Sequence, residues 1–386
     1  MKRLAKLSFR PVLCATLLAA TPALAQKEQW LEYHTSREEQ GYRWLELTTN
    51  PPPQVALPKL TGQPWFARWS SPLDGGRERW LCLDRAEKGL FPNKAYFDTN
   101  GNGRLDDDPP STPSRSDEYS VYFNPLKAVF KGEDGPIAYH IVLRFMKYSD
   151  DTVRLLASSG GYYGGLVEIG GKKRRVQLID GNVNATFNDR GTSPGDCDRI
   201  LIEKDDAGER YLGRMIEVDG QFYQIEVARD GAFLKLQKAE NLQFGKVQVA
   251  ESLSQFIAFG ENGHFVRKPQ KGEFTLPAGK YFVNQWTINR KDKSGASWEL
   301  MGYGIPDAAA FEVSAGAPVK VAAGEPIRTR LSATTRTNQV SFSLSFLGPL
   351  DENIQILRGN QRPAGPRLAL VSRDQSFRST NRFEFG

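Results

Sequence analysis

The stretch Met215-Ile-Glu-Val218-Asp219-Gly220-Gln221-Phe-Tyr-Gln-Ile-Glu-Val227 decides the fold class. Two runs rich in Val, Ile, Phe and Tyr flank an Asp-Gly pair. A tight hairpin turn needs positive φ at both central residues, which Gly supplies freely and Asp tolerates. The segment therefore reads as a β-hairpin turning at Val218-Asp219-Gly220-Gln221. The same grammar recurs on either side. Residues 42–47, 79–83, 119–123, 137–145, 165–169, 175–179 and 199–203 read as strands before it, and 233–237 after it. Gly170-Gly171 and Asp230-Gly231 supply further turns. Helical periodicity is scarce, weak in residues 29–39 and 250–259 and short in both. The expected fold class is all-β.

A composition shift near residue 245 divides the chain. Beyond it, residues 272–276, 280–288, 297–301, 310–313, 319–321, 328–333, 340–346, 367–371 and 381–385 read as short strands. Their spacing of roughly 8–12 residues is that of a β-sandwich. The expected organisation is a β-rich domain over residues 26–244 and a sandwich over 245–386. The segment Leu276-Pro-Ala-Gly-Lys-Tyr-Phe282 resembles the turn into a strand found in Ig-like and transthyretin-like sandwich modules. That resemblance implies such a fold for the second domain.

Residues 1–25 read as a secretory signal peptide. Lys2, Arg3, Lys6 and Arg10 precede an apolar run from Val12 to Ala20, and Ala23-Leu24-Ala25 forms the small-residue exit before Gln26. The run is shorter than the roughly 20 residues that span a bilayer, so no membrane span is expected after cleavage. The expected location is the periplasm or the medium. The full chain carries 51 basic and 45 acidic residues. The leader holds four of the bases and no acid, which leaves 47 against 45. A nucleic-acid footprint needs a basic patch or stripe. Only Lys172-Lys173-Arg174-Arg175 qualifies, and beside Gly170-Gly171 it reads as a solvated hairpin end. No nucleic-acid partner is expected. Cys14 leaves with the leader. Cys82 and Cys197 remain, and an oxidising compartment permits a disulfide between them. The sequence leaves that bond open.

The most informative feature is an internal repeat. One copy reads Asp98-Thr-Asn100-Gly-Asn102-Gly103-Arg104-Leu105-Asp106-Asp107-Asp108. The other reads Asp180-Gly-Asn182-Val-Asn184-Ala185-Thr186-Phe187-Asn188-Asp189. Calcium is a hard cation that takes six to eight oxygen ligands. Oxygens at positions 1, 3 and 5 of a tight loop can converge on one ion. These are Asp98, Asn100 and Asn102 in the first copy, and Asp180, Asn182 and Asn184 in the second. Position 7 offers a backbone carbonyl, from Arg104 or Thr186. Position 9, Asp106 or Asn188, can reach the ion directly or through water. Apolar Leu105 and Phe187 at position 8 anchor the loops.

Each copy resembles an EF-hand loop over about a dozen residues. The resemblance implies a calcium site, with two departures. Position 12 is Pro109 or Gly191, where an EF-hand has a bidentate Glu. Substitute carboxylates would be Asp107 and Asp108 in the first loop, and Asp189, Asp196 or Asp198 in the second. Both loops also follow strand-like segments, so they read as structural calcium clamps on a β scaffold. The second has Ala185 where Gly is expected. The competing reading is an acidic Asx turn with no ion.

Catalytic patterns are sparse. His34, His140 and His264 are dispersed, and there is no H-E-x-x-H, no G-x-S-x-G and no P-loop. The glycine-rich stretch 160–165 reads as a hairpin turn. Trp44-Leu-Glu-Leu-Thr-Thr-Asn-Pro51, the two acidic loops and the Phe383-Glu-Phe385 ending together resemble uncharacterised secreted or periplasmic bacterial β-rich proteins. The resemblance implies export and calcium without specifying an activity. The expectation is an exported, non-catalytic calcium-binding β protein, either a structural module of the envelope or an extracellular module that binds a ligand such as a glycan or a protein. The alternative is an extracellular hydrolase with structural calcium, its carboxylate pair hidden among the 45 acids.

Overall fold

The hairpin at Asp219-Gly220 forms as read. Met215–Val218 pairs antiparallel with Gln221–Val227, Val218 lies opposite Gln221, and φ is 51° at Asp219 and 73° at Gly220. The structure is a computed structural model that describes residues 27–86, 89–133, 135–149, 152–205, 207–305, 309–337 and 339–384. The leader at 1–25, with Cys14, and Phe385 lie outside them. Among the described residues the chain is all-β, with 29 strands and no α-helix. Among the described residues no helix is long and apolar enough to cross a membrane.

The hairpin belongs to a four-stranded sheet that continues through Phe233–Lys238 to Gln29–Trp30. Beside it runs a nine-stranded sheet built on the long strand Val153–Ile169. That strand pairs with Pro136–Lys147 along its first half and with Lys172–Ile179 along its second. Its other edge takes Glu32–Leu45, with register shifts around Ser159. A three-stranded sheet, Trp65–Ser70, Glu78–Asp84 and Lys94–Phe97, completes this half. Their inner faces share one core running from Leu31 to Leu234. Trp69 stacks on Tyr139 near its centre, with ring centroids 6.1 Å apart.

A second core runs from Val247 to Ile354. An eight-stranded and a three-stranded sheet enclose it, the latter including a parallel pair, Phe244–Gln248 with Val319–Lys320. Two hairpins lie further out. Arg328–Arg336 pairs with Gln339–Leu347 over nine positions, and the first of these strands is exposed throughout. Arg367–Val371 pairs with Arg378–Arg382 as a separate two-stranded ribbon.

Several expectations change. Residues 29–39 and 250–259 carry no α-helix; they fall in strands and a turn. The glycine-rich stretch 160–165 is no hairpin turn. It lies inside Val153–Ile169, where the neighbouring strand presses close enough that a Cβ on Gly161 would overlap the Tyr33 hydroxyl. Its two tyrosines are already engaged. Tyr162 stacks on His34 at 5.2 Å, and Tyr163 packs edge-on against Phe187 at 5.0 Å. Cys82 and Cys197 are both buried free thiols.

Candidate metal centre

The first acidic loop leaves the end of Lys94–Phe97, the last strand of the three-stranded sheet. Asp98 is 2% exposed. Its Oδ1 accepts the Asn102 N–H at 3.0 Å and its Oδ2 the Gly103 N–H at 2.9 Å. Asn100 Oδ1 also accepts from Asn102 N–H, and Asn102 Oδ1 accepts from Arg104 N–H. Gly103 sits at φ 77°. Leu105 is fully buried among Phe66, Cys82 and Tyr96, which pins the loop to the sheet. Burying such a side chain contributes about 1.5–3 kcal/mol.

The second loop follows Lys172–Ile179 and repeats the bonds to the position-1 and position-5 oxygens. Asp180 Oδ1 accepts from Val183 N–H at 2.6 Å and Asn184 N–H at 3.3 Å, and Oδ2 from Ala185 N–H at 2.7 Å. Asn184 Oδ1 accepts from Thr186 N–H at 2.8 Å. In both loops the position-5 amide donates to the position-10 carboxylate, Asn102 to Asp107 at 2.8 Å and Asn184 to Asp189 at 2.7 Å. Ala185 takes the glycine role at φ 69°, and Val183 is held at φ 56°. Positive φ in a β-branched residue is a strained state that persists where surrounding structure over-determines it, often at functional sites. Phe187 is 1% exposed in the main core.

A further equivalence is not visible in the alignment of the two copies. In loop one, the Asp108 carboxylate accepts from the N–H and the hydroxyl of Thr99, at position 2. In loop two, Asp198 takes that place. Its Oδ1 accepts from Gly181 N–H at 3.0 Å and its Oδ2 from Asp189 N–H at 2.7 Å. Asp198 thus stands where Asp108 stands, supplied from further along the chain. Asp196 is exposed, and its bond to the loop is through its backbone carbonyl, to the Asn182 amide at 3.4 Å. Asn188 makes none of these bonds. Cys197 Sγ accepts from Gly191 N–H at 3.0 Å and holds the detour together.

The electrostatics of the loops differ. In loop one, Arg104 bonds Asp106 at 2.7 Å and lies 3.7 Å from Asp107, both partly exposed. Burial pushes Asp98 up, opposed by the N–H groups it accepts and by Arg79. In loop two, Asp180 is 0% and Asp198 1% exposed. Burial pushes Asp180 up to about 6, and pushes Asp198 well above the usual range with Asp180 and Asp189 repelling it further. Among the described residues no lysine or arginine pairs with either. Asn182 Oδ1, at position 3, is shielded from solvent and accepts no hydrogen bond.

Side chains alone do not build a cage. Among the described residues no three His, Cys, Asp or Glu are set to hold a metal. A calcium site here would need Asn oxygens and backbone carbonyls beside the position-1 carboxylate, the mix that calcium accepts and transition metals do not. The donor set fits calcium best in loop two, where an orphaned amide oxygen and buried carboxylates without a basic partner among the described residues share one loop. Comparison of the chain with protein-family models, curated proteins and solved structures finds no match.

Proposed function

We propose that this chain is an exported calcium-stabilised β protein that acts as a binding or structural module of the periplasm or the medium. One observation carries the reading. Loop two gathers Asp180, Asp189 and Asp198, two of them buried, without a basic side chain, and leaves the Asn182 oxygen unpaired. An uncompensated buried charge costs on the order of 3–5 kcal/mol. A divalent cation would turn that cost into attraction. The shared hydrogen-bond scheme of the two loops supports a second, more exposed site at Asp98. The calcium role is structural: both loops clamp strand ends of the first core, and among the described residues there is no helix pair to transmit opening.

The hydrolase reading has less support. One cleft joins a histidine to carboxylates, His264 with Asp205, Glu217 and Asp219, and each of these carboxylates is ion-paired to a basic side chain. A glycosidase needs one carboxyl free to carry a proton.

The test is thermal melting of the chain from Gln26 onward, in EDTA and then in 10 mM calcium. A site with a dissociation constant near the ~10⁻⁴ M of extracellular modules gains about 2.7 kcal/mol at a hundredfold excess. For a unit of this size that is a rise of about 5–10 °C. Asp180→Ala should remove the larger part of the rise and Asp98→Ala the remainder. Identical midpoints in EDTA and calcium would overturn the reading.

A further inference from the structure

A cleft of about 770 Å³ opens beside the first core. Three elements meet around it: strand Gln29–Trp30, the start of strand Pro136–Lys147, and the turn at residues 228–232. Tyr33 and Tyr163 line it from the core side. The turn is pressed onto Tyr163. At Gly231, φ is 85° and a Cβ would overlap the rings of both Tyr163 and Phe187. The Phe187 N–H, in the second acidic loop, donates to the Arg229 carbonyl at 3.0 Å. One guanidinium nitrogen of Arg229 donates to the Pro72 carbonyl at 2.8 Å.

Four side chains in the cleft are left partly unused. Trp30 is 64% exposed, its indole backed by Phe233 with ring centroids 5.2 Å apart. The Tyr163 ring packs on Phe187, but its hydroxyl is open to solvent and makes no hydrogen bond among the described residues. Burial and the nearby Asp230 carboxylate push that phenol up to about 12, so it keeps its proton and can donate. Asp230 Oδ1 accepts from the Ala232 N–H at 3.1 Å, which leaves Oδ2 unused. Among the described residues neither Asp230 nor Arg229 forms an ion pair. An indole face takes apolar surface, and a bare one in a concave site marks a contact still to be made. The carboxylate can only accept and the guanidinium only donate, whereas a ligand hydroxyl does both. An anionic ligand would meet Asp230, and a cationic one Arg229. A neutral sugar uses all four groups: its C–H face covers the indole, and its hydroxyls bond the rest.

We propose that this cleft binds a neutral oligosaccharide, one pyranose ring stacked on Trp30 while its hydroxyls bond Asp230, Arg229 and Tyr163. The volume suits a short chain of rings. A sugar here makes the chain a binding module rather than a purely structural one. The sugar touches no acidic-loop carboxylate, although loop two backs the turn, so sugar and calcium are tested by separate measurements.

Isothermal titration of the chain from Gln26 onward with maltotriose, cellotriose, mannotriose and triacetylchitotriose tests it, in EDTA and again in 10 mM calcium. At least one of the four should bind, in either buffer, with a stoichiometry near one. Trp30→Ala should weaken that binding at least tenfold with the melting midpoint unchanged, since the indole is mostly exposed. Asp230→Asn keeps an oxygen for the Ala232 N–H and should weaken binding without unfolding the turn. Trp44→Ala, at an exposed tryptophan on a different cleft, should bind as the native chain does. The proposal is overturned if none of the four binds in either buffer, or if Trp30→Ala binds undiminished. It is equally overturned if Trp44→Ala loses as much binding as Trp30→Ala, which would place the sugar elsewhere. Calcium binding is read from melting alone, so identical midpoints in EDTA and calcium would leave the sugar result standing.

Discussion

At Gly41 the backbone stands at φ 58° and passes so close to loop two that a Cβ would overlap the carbonyl oxygens of Asp180 and Gly181. The Tyr42 N–H donates to Gly181 O at 3.3 Å across the same gap. The strand Glu32–Leu45 is thereby sewn to the acidic loop at a point no motif announces. Gly41→Ala should cost about 1–3 kcal/mol, from a strained left-handed alanine and a displaced loop. It should also reduce the rise in melting midpoint that calcium produces. Melts of this variant in EDTA and calcium check both; a full calcium response would show that strand and loop are independent. His264 makes a second residue-scale prediction. Its folded value near 4 lies below the ordinary 6.5, because burial and Arg210 disfavour the charged ring. The unfolded chain binds the proton more readily. Its contribution is therefore present above pH 6.5 and is lost as the pH falls towards 4, by up to about 3 kcal/mol. Urea unfolding of native protein and His264→Phe between pH 7 and 4 should show the variant losing less stability on acidification. Parallel pH profiles would refute this.

Elements join through side chains that carry no sequence signal. Arg79, on Glu78–Asp84, is 1% exposed. It bonds Asp74 at 2.7 Å and the Val129 carbonyl at 2.9 Å, reaches the Thr99 carbonyl in loop one, and lies over the Phe130 ring. One guanidinium thus ties a turn, a loop and a strand together. Arg79→Met removes the charge and leaves the Asp74 carboxylate without its partner, and should cost about 3–5 kcal/mol. Limited proteolysis should then cut near residues 98–108 first; unchanged resistance there would show that Leu105 alone holds the loop. The strands were legible because their cues are local: Asp219-Gly220 and Gly170-Gly171 specify turns within a few residues. The glycines at 160–165 misled because their reason lies on the partner strand, where Tyr33 and His140 crowd the backbone. Asp198 stood among three candidate carboxylates. Its match to Asp108 depends on a detour through Cys197 that sequence spacing does not encode.

The described residues hold two large cores and a small third cluster around Leu105, and both acidic loops fasten to the sheets of the first core. Hydrogen exchange should show this division. Removing calcium should speed exchange in strands of the first core, such as Val153–Ile169, and leave Gly279–Lys291 in the second almost unaffected. Equal acceleration in both would mean that they unfold as one unit. The buried pair Asp180 and Asp198 then bears on where the chain folds, as well as on how firmly. Where free calcium is scarce, two buried carboxylates without a basic partner among the described residues oppose the native state. Where it is plentiful, the same two draw the loop closed. For a chain exported as proposed, the ion would act as the pawl of a ratchet: threading remains easy on the calcium-poor side, and folding on the far side forbids return.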